Sequence, residues 1–222
     1  MCSLEILYFQ GEYQNRLPMT RIVLILLFCL CARLIMGQSL VSGTVSWSDG
    51  TPLDIPATVL VKLIDPGTGQ TMIQLSFAVQ NGEYNMSGHH FINPLMSSNV
   101  EVTVLADVNP RSQVSVLDIL RVRMHITGAE PFTHALEIYA ADVNASGGVS
   151  VLDMVEIRKM ILGFYTKWPA KEAISFFQRT DVTPPATGAN LISTVTFPWG
   201  GPNGTADIVV DFWAVKTGDV VR

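Results

Sequence analysis

The chain has 222 residues, of which 48% are hydrophobic and 15% charged, with a formal net charge of −5. That length suits one or two small domains. The acidic balance, without a basic stripe or aromatic–basic interleaving, excludes a nucleic-acid-binding reading.

Residues 1–37 are expected to stand apart from the fold. Met19 reads as a start, Arg21 supplies a basic flank, and 22–32 is an uncharged apolar run of eleven residues ended by Arg33. A membrane span needs ~20 apolar residues, so the run has the length of a signal-peptide core. The signal is placed at about 19–37, with cleavage near Gly37 and Gln38, although Ile35 departs from the small-residue rule. Retention of 22–36 as an uncleaved anchor is the alternative. Residues 1–18 then lie upstream of the natural start, and EILYFQG at 5–11 is close to a tag-removal protease site. Cys2, Cys29 and Cys31 all lie in this region, neither Cys29 nor Cys31 in a lipoprotein cleavage context. A chain maturing at Gln38 has no disulfide framework, zinc knuckle or thiol nucleophile. It is expected to be secreted or at the cell surface, with no membrane span in the mature part.

Residues 38–105 read as β-structure. Strands are expected at 40–47, ending in the turn Ser48-Asp49-Gly50, and at 57–64, followed by Asp65-Pro66-Gly67. Residues 72–79 alternate and end at Asn81-Gly82, a hairpin signal. Segments 83–87 and 100–105 complete the set. The succession SGTV, DGTPL, VLVKL, NGEY and VEVTV resembles small prealbumin-like (carboxypeptidase-regulatory) or Ig-like sandwiches, a generic likeness.

Residues 106–165 carry a unit that occurs twice, 35 residues apart. Ala106, Asp107, Val108 and Asn109 recur as Ala141, Asp142, Val143 and Asn144, and VSVLD at 114–118 recurs at 149–153. Arg123, Ile126 and Gly128 recur as Arg158, Ile161 and Gly163, making 12 identities across the 23 positions 106–128. A self-match at fixed offset marks a duplicated structural unit. Its polar residues have the spacing of a calcium loop, in which oxygen donors come from positions 1, 3, 5, 7, 9 and 12 and Gly is favoured at 6. In the second copy Asp142, Asn144 and Ser146 hold positions 1, 3 and 5, and Gly147 is the turn glycine. Gly148 offers its carbonyl, Ser150 acts directly or through a water, and Asp153 closes the loop. Asp153→Ala is therefore expected to matter only when Ca²⁺ is bound. Val149 is the apolar residue anchoring the loop.

In the first copy Asp107, Asn109, Ser115 and Asp118 keep positions 1, 3, 9 and 12, and Gln113 stands at 7. Position 5 is Arg111, a cation where a ligand belongs, and position 6 is Ser112 instead of glycine. Weaker metal binding is expected there. Apolar residues follow each loop at three- and four-residue steps, Leu117, Leu120 and Met124 after the first and Leu152, Val155 and Leu162 after the second. These predict helices stopped by Gly128 and Gly163. Neither loop is expected to follow an entering helix, since 100–106 reads as a strand and 135–140 as a short linker or helix.

Residues 166–189 are irregular, with Pro169, Pro184 and Pro185 and a short helical stretch at 171–178. Strands return at 191–197 and 208–215, either beside the calcium module or completing a sheet with the first domain. No nucleophile elbow, P-loop, dinucleotide fingerprint or HExxH occurs. His89 and His90 are adjacent and point to opposite faces of an extended chain, a poor chelate. His125 and His134 read as surface residues of the helical module. Asp/Glu pairs for glycoside hydrolysis have no sequence signature, and most acidic residues in mid-chain are assigned to the loops. Trp47, Trp168, Trp199 and Trp213 are read as core, with a sugar platform as the alternative.

Paired loop–helix repeats opening on DVN and closing on Asp resemble the dockerin family, type I. The run ADVNASGGVSVLDMVEIRKMILG at 141–163 looks like its second repeat, Pro110 stands where its irregular first loops often have Pro, and DFWAVKTGDV at 211–220 resembles the closing strand of such modules. The likeness covers roughly 40–220 and is specific over 106–163. Departures are Arg111 and Ser112, and Val221-Arg222 where the family often has Asn-Gly. The fold class expected is α+β: an N-terminal β-sandwich (38–105), a dockerin-like pair of calcium loop–helix repeats (106–165), and an irregular segment with a β-strand tail (166–222).

The resemblance implies a non-catalytic, calcium-binding extracellular module of a modular bacterial protein, docking onto a cohesin-like domain in polysaccharide degradation or surface assembly. It also implies that loop positions 10 and 11, Val116 and Leu117 and their repeats Val151 and Leu152, face the partner. The competing reading makes Leu117 and Leu152 core. Two other functions stay open: a calcium-clamped spacer, and a carbohydrate-binding part of a secreted glycoside hydrolase with polysaccharide as ligand.

Overall fold

The computed structural model describes residues 41–86, 98–181, 183–187, 189–199 and 208–221, with the Trp199 side chain left aside. All lie in one unit of the chain, Ser39–Arg222. The expectations for 1–37 and for His89 and His90 fall outside the described residues.

The described residues form a mixed α+β structure of nine strands and three helices. In chain order these are β1 (Val41–Trp47), β2 (Thr58–Ile64), β3 (Thr71–Ala78), β4 (Glu83–Asn85), β5 (Ser98–Leu105), α1 (Val116–Ile126), α2 (Ala135–Ala141), α3 (Val151–Ile161), β6 (Ile174–Arg179), β7 (Val195–Trp199), β8 (Ile208–Val209) and β9 (Asp211–Lys216). One sheet runs β4-β1-β9-β6, with β8 also on β1; the other runs β3-β2-β5-β7.

Period-two sequences set the inner faces. In β2 and β5 the side chains of Val59, Val61, Leu63, Val100, Val102 and Val104 are buried, while Lys62 and Glu101 between them pair on the outer face at 2.7 Å. Alternation of this kind puts every second side chain on one face. The inner residues share one apolar cluster with Val45, Trp47, Phe176, Phe212 and Ala214 of the opposite sheet. Each fully buried Val, Leu or Phe contributes roughly 1.5–3 kcal/mol.

The C-terminal strands do not stand beside the repeated loops as a separate tail; they enter both sheets. β9 lies parallel to β1, with Val45 opposite Phe212, and antiparallel to β6, with Phe177 opposite Trp213. β7 pairs antiparallel with β5, with Val100 opposite Phe197. Parallel β1 and β9 need a long crossover, and the helices fill it.

Three local expectations change. The stretch 171–178 is no helix: from Ile174 on it forms β6, because Ile174, Phe176 and Phe177 are buried between layers and the strand pairs with β9 along its length. The second loop has an entering helix, the seven-residue α2 with Asp142 at its C-cap. Asn81 and Gly82, at φ 52° and 76°, make a two-residue turn closed by paired bonds between Gln80 and Glu83. Beyond that single bridge the strands part: β3 continues along β2, and β4 joins β1 in the other sheet. The turn chemistry was as expected, but it carries the chain between sheets.

A second apolar cluster lies on the outer side of β6 and β9. It gathers Val122 of α1, Leu136 and Ala140 of α2, Ile157 and Met160 of α3, and Trp168, Phe177, Trp213, Val215 and Val220. Between α1 and α2, the Phe132 N–H donates to His125 Nδ1 at 2.9 Å and the two rings stack at 4.3 Å. Arg121 sits over the Phe132 ring at 4.8 Å, donates to the Glu130 carbonyl at 2.7 Å, and reaches Glu137 at 3.3 Å. His125 is thus a half-buried structural acceptor more than a surface residue. Its pKa is lowered, first by burial and then by Arg121, with Glu137 opposing.

Two outcomes are expected. A chain ending at residue 165 lacks four strands of the two sheets, and should show no cooperative melt and collapsed amide dispersion. His125 must stay neutral to accept its bond, and its folded pKa lies below the unfolded value. Its contribution is therefore present above pH ~6.5 and lost as pH falls through the folded pKa. With chelator present, melting temperature should drop more between pH 7 and 5 in the wild type than in His125→Asn, whose amide oxygen can accept the same bond without titrating.

Candidate metal centre

Asp142 and Asp153 are the buried carboxylates of the second loop, at 7% and 0% exposure. Among the described residues neither has an ion-pair partner. Lys171 feels both carboxylates through space, but its ammonium donates to the Tyr139 carbonyl at 2.7 Å and lies over that ring at 3.8 Å. Burial lowers the Lys171 pKa, and Asp142 and Asp153 pull it back up. Two buried anions without a counter-charge are costly unless something positive sits with them.

The loop's own amides arrange its oxygens. The Ser146 N–H donates to both Asp142 Oδ1 and Asn144 Oδ1 at 2.9 Å, so those two oxygens converge. The Gly147 N–H takes Asp142 Oδ2 at 3.0 Å, and the Ser146 hydroxyl donates to the Gly148 carbonyl at 3.0 Å. Across the loop, Asp153 Oδ1 accepts the Asn144 N–H at 3.3 Å. Ala145 and Gly147 at φ 56° and 89° let the chain turn tightly enough for this. Val149 packs into the helical cluster and anchors the loop. Asp142, Asn144, Ser146, the Gly148 carbonyl and Asp153 form one oxygen-only network, the donor type a hard cation such as Ca²⁺ prefers. Among the described residues no three His, Cys, Asp or Glu side chains gather as a metal cluster, so neutral oxygens must complete any such site. The second-loop residues fit Ca²⁺ on these grounds.

Ser150 has a further task. It is the N-cap of α3: its hydroxyl accepts the Leu152 N–H at 3.2 Å, and Asp153 Oδ2 accepts the Ser150 N–H at 2.8 Å. Ser115 and Asp118 make the same capping box on α1, at 3.2 and 2.7 Å. The closing aspartate therefore serves the helix as well as the loop.

The first loop is built differently. Asp107 and Asn109 are exposed, and so are Arg111, Ser112 and Gln113, the last at φ 65°. The Arg111 side chain leaves the loop and donates to the Ile161 carbonyl at 2.9 Å. That carbonyl is at the C-terminus of α3, where a cation is favoured. Asp118 is buried at 1% exposure, but its Oδ1 accepts the Val220 N–H at 2.8 Å. Lys216, 3% exposed, points its ammonium at the carbonyls of Asn109 and Pro110, at 3.1 and 3.2 Å. Burial pushes its pKa down to about 8, with Asp219 and Asp118 pulling back, so at neutral pH it is mainly charged. Reasoning from the loop sequences missed Lys216 and Val220, which lie about a hundred residues downstream and carry no local signal.

Val116, Leu117, Val151 and Leu152 are exposed at 68, 61, 61 and 66%. Leu117 and Leu152 are thus not core residues of this chain. They sit at equivalent N-terminal positions of α1 and α3, with Leu120 and Val155 exposed one turn on. Trp47, Trp168 and Trp213 are buried, leaving none of the three as a sugar platform. No helix among the described residues is long and apolar enough to cross a membrane.

Residues 105–162 match the family model described as the dockerin type I domain. A domain of that kind is a calcium-dependent protein–protein docking module, is itself non-catalytic, binds cohesins, and occurs in secreted proteins. No curated protein matches the chain.

The capping box changes what Asp153 substitutions should do. Asp153→Ala should cost about 1 kcal/mol even in chelator, because the Ser150 N–H loses its acceptor and the capping box its reciprocal half, with a further loss when Ca²⁺ is present. Asp153→Asn keeps an acceptor for the Ser150 N–H, so in chelator it should melt close to wild type, yet it should lose the calcium-induced rise. Paired thermal melts of both variants, with and without Ca²⁺, check this.

Proposed function

We propose that this chain is a secreted, non-catalytic docking module that binds one Ca²⁺ in its second loop and a cohesin-like partner on its helices. The observation that carries the reading is the pair of buried, unpaired carboxylates, Asp142 and Asp153, at the two ends of an oxygen-lined loop. Asp142, Asn144, Ser146, the Gly148 carbonyl and Asp153 would hold the ion, with Ser150 acting through a water. Bound Ca²⁺ neutralises the two carboxylates and fixes the N-terminus of α3, and with it Val151 and Leu152. Exposed apolar pairs at equivalent ends of two packed helices, Val116 with Leu117 and Val151 with Leu152, offer a repeated surface, and such exposure supports a protein interface. Because the pairs are identical, a partner could bind in either of two orientations. The two-sheet part is read as a prealbumin-like or Ig-like sandwich that carries the module. Docking of this kind serves polysaccharide degradation or surface assembly.

The spacer reading, in which the module binds Ca²⁺ and nothing else, differs only in the partner. The carbohydrate-binding reading is disfavoured by the burial of Trp47, Trp168 and Trp213.

Extracellular calcium modules have Kd of ~10⁻⁴–10⁻³ M, so millimolar Ca²⁺ adds roughly 0.4–1.4 kcal/mol. That corresponds to a rise of about 1–6 °C in melting temperature for a domain of this size. Calorimetry on the full chain should give one site, abolished by Asp142→Ala. In Ca²⁺, a panel of cohesin domains should retain the chain. Leu117→Asp or Leu152→Asp alone should weaken capture little, since the other copy remains, and the double variant should lose it. Undiminished capture of the double variant would remove the proposed surface; no capture by any cohesin would leave the spacer.

A further inference from the structure

The two repeats offer an internal comparison. Asp118 and Asp153 occupy the same loop position, are equally buried, and make the same capping box with Ser115 and Ser150. They differ in what meets the remaining oxygen. Asp153 Oδ1 faces its own loop, touching only the Asn144 N–H at 3.3 Å. Asp118 Oδ1 is taken by the Val220 N–H at 2.8 Å. Four residues earlier, the Lys216 ammonium binds the carbonyls of Asn109 and Pro110.

We propose that the first loop is held closed by the chain's own C-terminal segment in place of calcium, with Lys216 as its resident cation and the Val220 N–H as the partner of its closing carboxylate. The inference rests on reading the second loop as the calcium site. The residues of the first loop do not fit a metal: Arg111 replaces the position-5 ligand and is committed to the Ile161 carbonyl, and Asp118 Oδ1 is held at 2.8 Å by the Val220 N–H from outside the loop, where Asp153 Oδ1 has only a 3.3 Å bond from within its own loop. A Ca²⁺ entering there would meet the repulsion of a buried ammonium of the same sign, held on the carbonyls of Asn109 and Pro110.

The segment is positioned to do this whether or not metal is present. The Thr217 N–H and hydroxyl bond the carbonyls of Ala173 and Glu172 at 3.1 and 2.7 Å, and the Gly218 N–H bonds the Ala140 carbonyl at 2.8 Å. Gly218 at φ 83° lies against the Trp168 ring, where a Cβ would come within 2.6 Å of the indole. The strap thus runs from the end of β9, past the end of α2 and into the first loop. One repeat then answers to calcium while the other is a permanent part of the fold.

The test is a Ca²⁺ titration of the full chain followed by backbone amide shifts. Saturating shifts are expected at Ala145, Gly147 and Gly148. Ser112, Gln113 and Val220 should stay still up to ~10 mM, above the weak end of extracellular affinities. Lys216→Met keeps the stem and removes the charge; its melting temperature should fall by roughly 5 °C, equally in Ca²⁺ and in chelator. Calcium-dependent shifts at Gln113 and Val220, or two sites by calorimetry, would overturn the proposal, as would an unchanged melt of Lys216→Met in chelator. Should that variant not fold, the wild-type shifts decide alone. Loss of shifts at Gly147 and Gly148 would strike the calcium reading of the second loop instead, so the two ideas fail separately.

Discussion

The rest of the structure depends on one strand used from both sides. β9 reads Asp-Phe-Trp-Ala-Val-Lys, and its side chains alternate between two cores. Phe212 and Ala214 face the cluster between the sheets, while Trp213 and Val215 face the helical cluster. β6 does the same with Phe176 and Phe177. A strand buried on both faces loses the polar–apolar alternation of a surface strand, which is why this segment reads as a continuous apolar run. Its end, Lys216, reaches the first loop. The β-layers, the helices and one loop are therefore held by the same six residues.

The same sharing explains how two nearly identical repeats come to differ. Both have a Ser–Asp capping box, both have a helix of eleven residues, and both end on a glycine with positive φ, 74° at Gly128 and 81° at Gly163. These features depend on neighbours within a few positions and survive duplication. The loops do not share their surroundings. Among the described residues the second keeps its buried carboxylates without a direct ion pair, and the first receives an ammonium and an amide from the C-terminal segment. Arg111 fits this difference: its guanidinium lies on the C-terminus of α3 and ties one repeat to the other.

Much of the architecture was legible in the residues. The strands β1, β2, β3 and β5, the turn at Asn81-Gly82, helices α1 and α3 and their glycine stops followed from period, turn chemistry and capping. The oxygen donors proposed for the second loop were read from spacing alone. The stretch 171–178 was misread because Lys171, Glu172 and Ala173 lead into it with helix-favouring residues, and propensity is a weak prior against two buried faces. Periodicity alone left Leu117 and Leu152 open, since their spacing to Leu120 and Val155 suits a buried stripe; the resemblance pointed them outward, and the buried side of α1 is set by Val122 and Asp118.

By itself, the sequence determined most of what local chemistry controls: which segments extend or coil, apart from 171–178 and the short α2, and where the helices after the two loops start and stop. Only the tertiary structure decided which strands share a sheet, and that the first loop is closed by Lys216 and Val220. Strand partners and counter-ions are chosen among residues distant in the chain by burial and charge balance, and a contact across about a hundred residues leaves no periodic or spacing signal at either end.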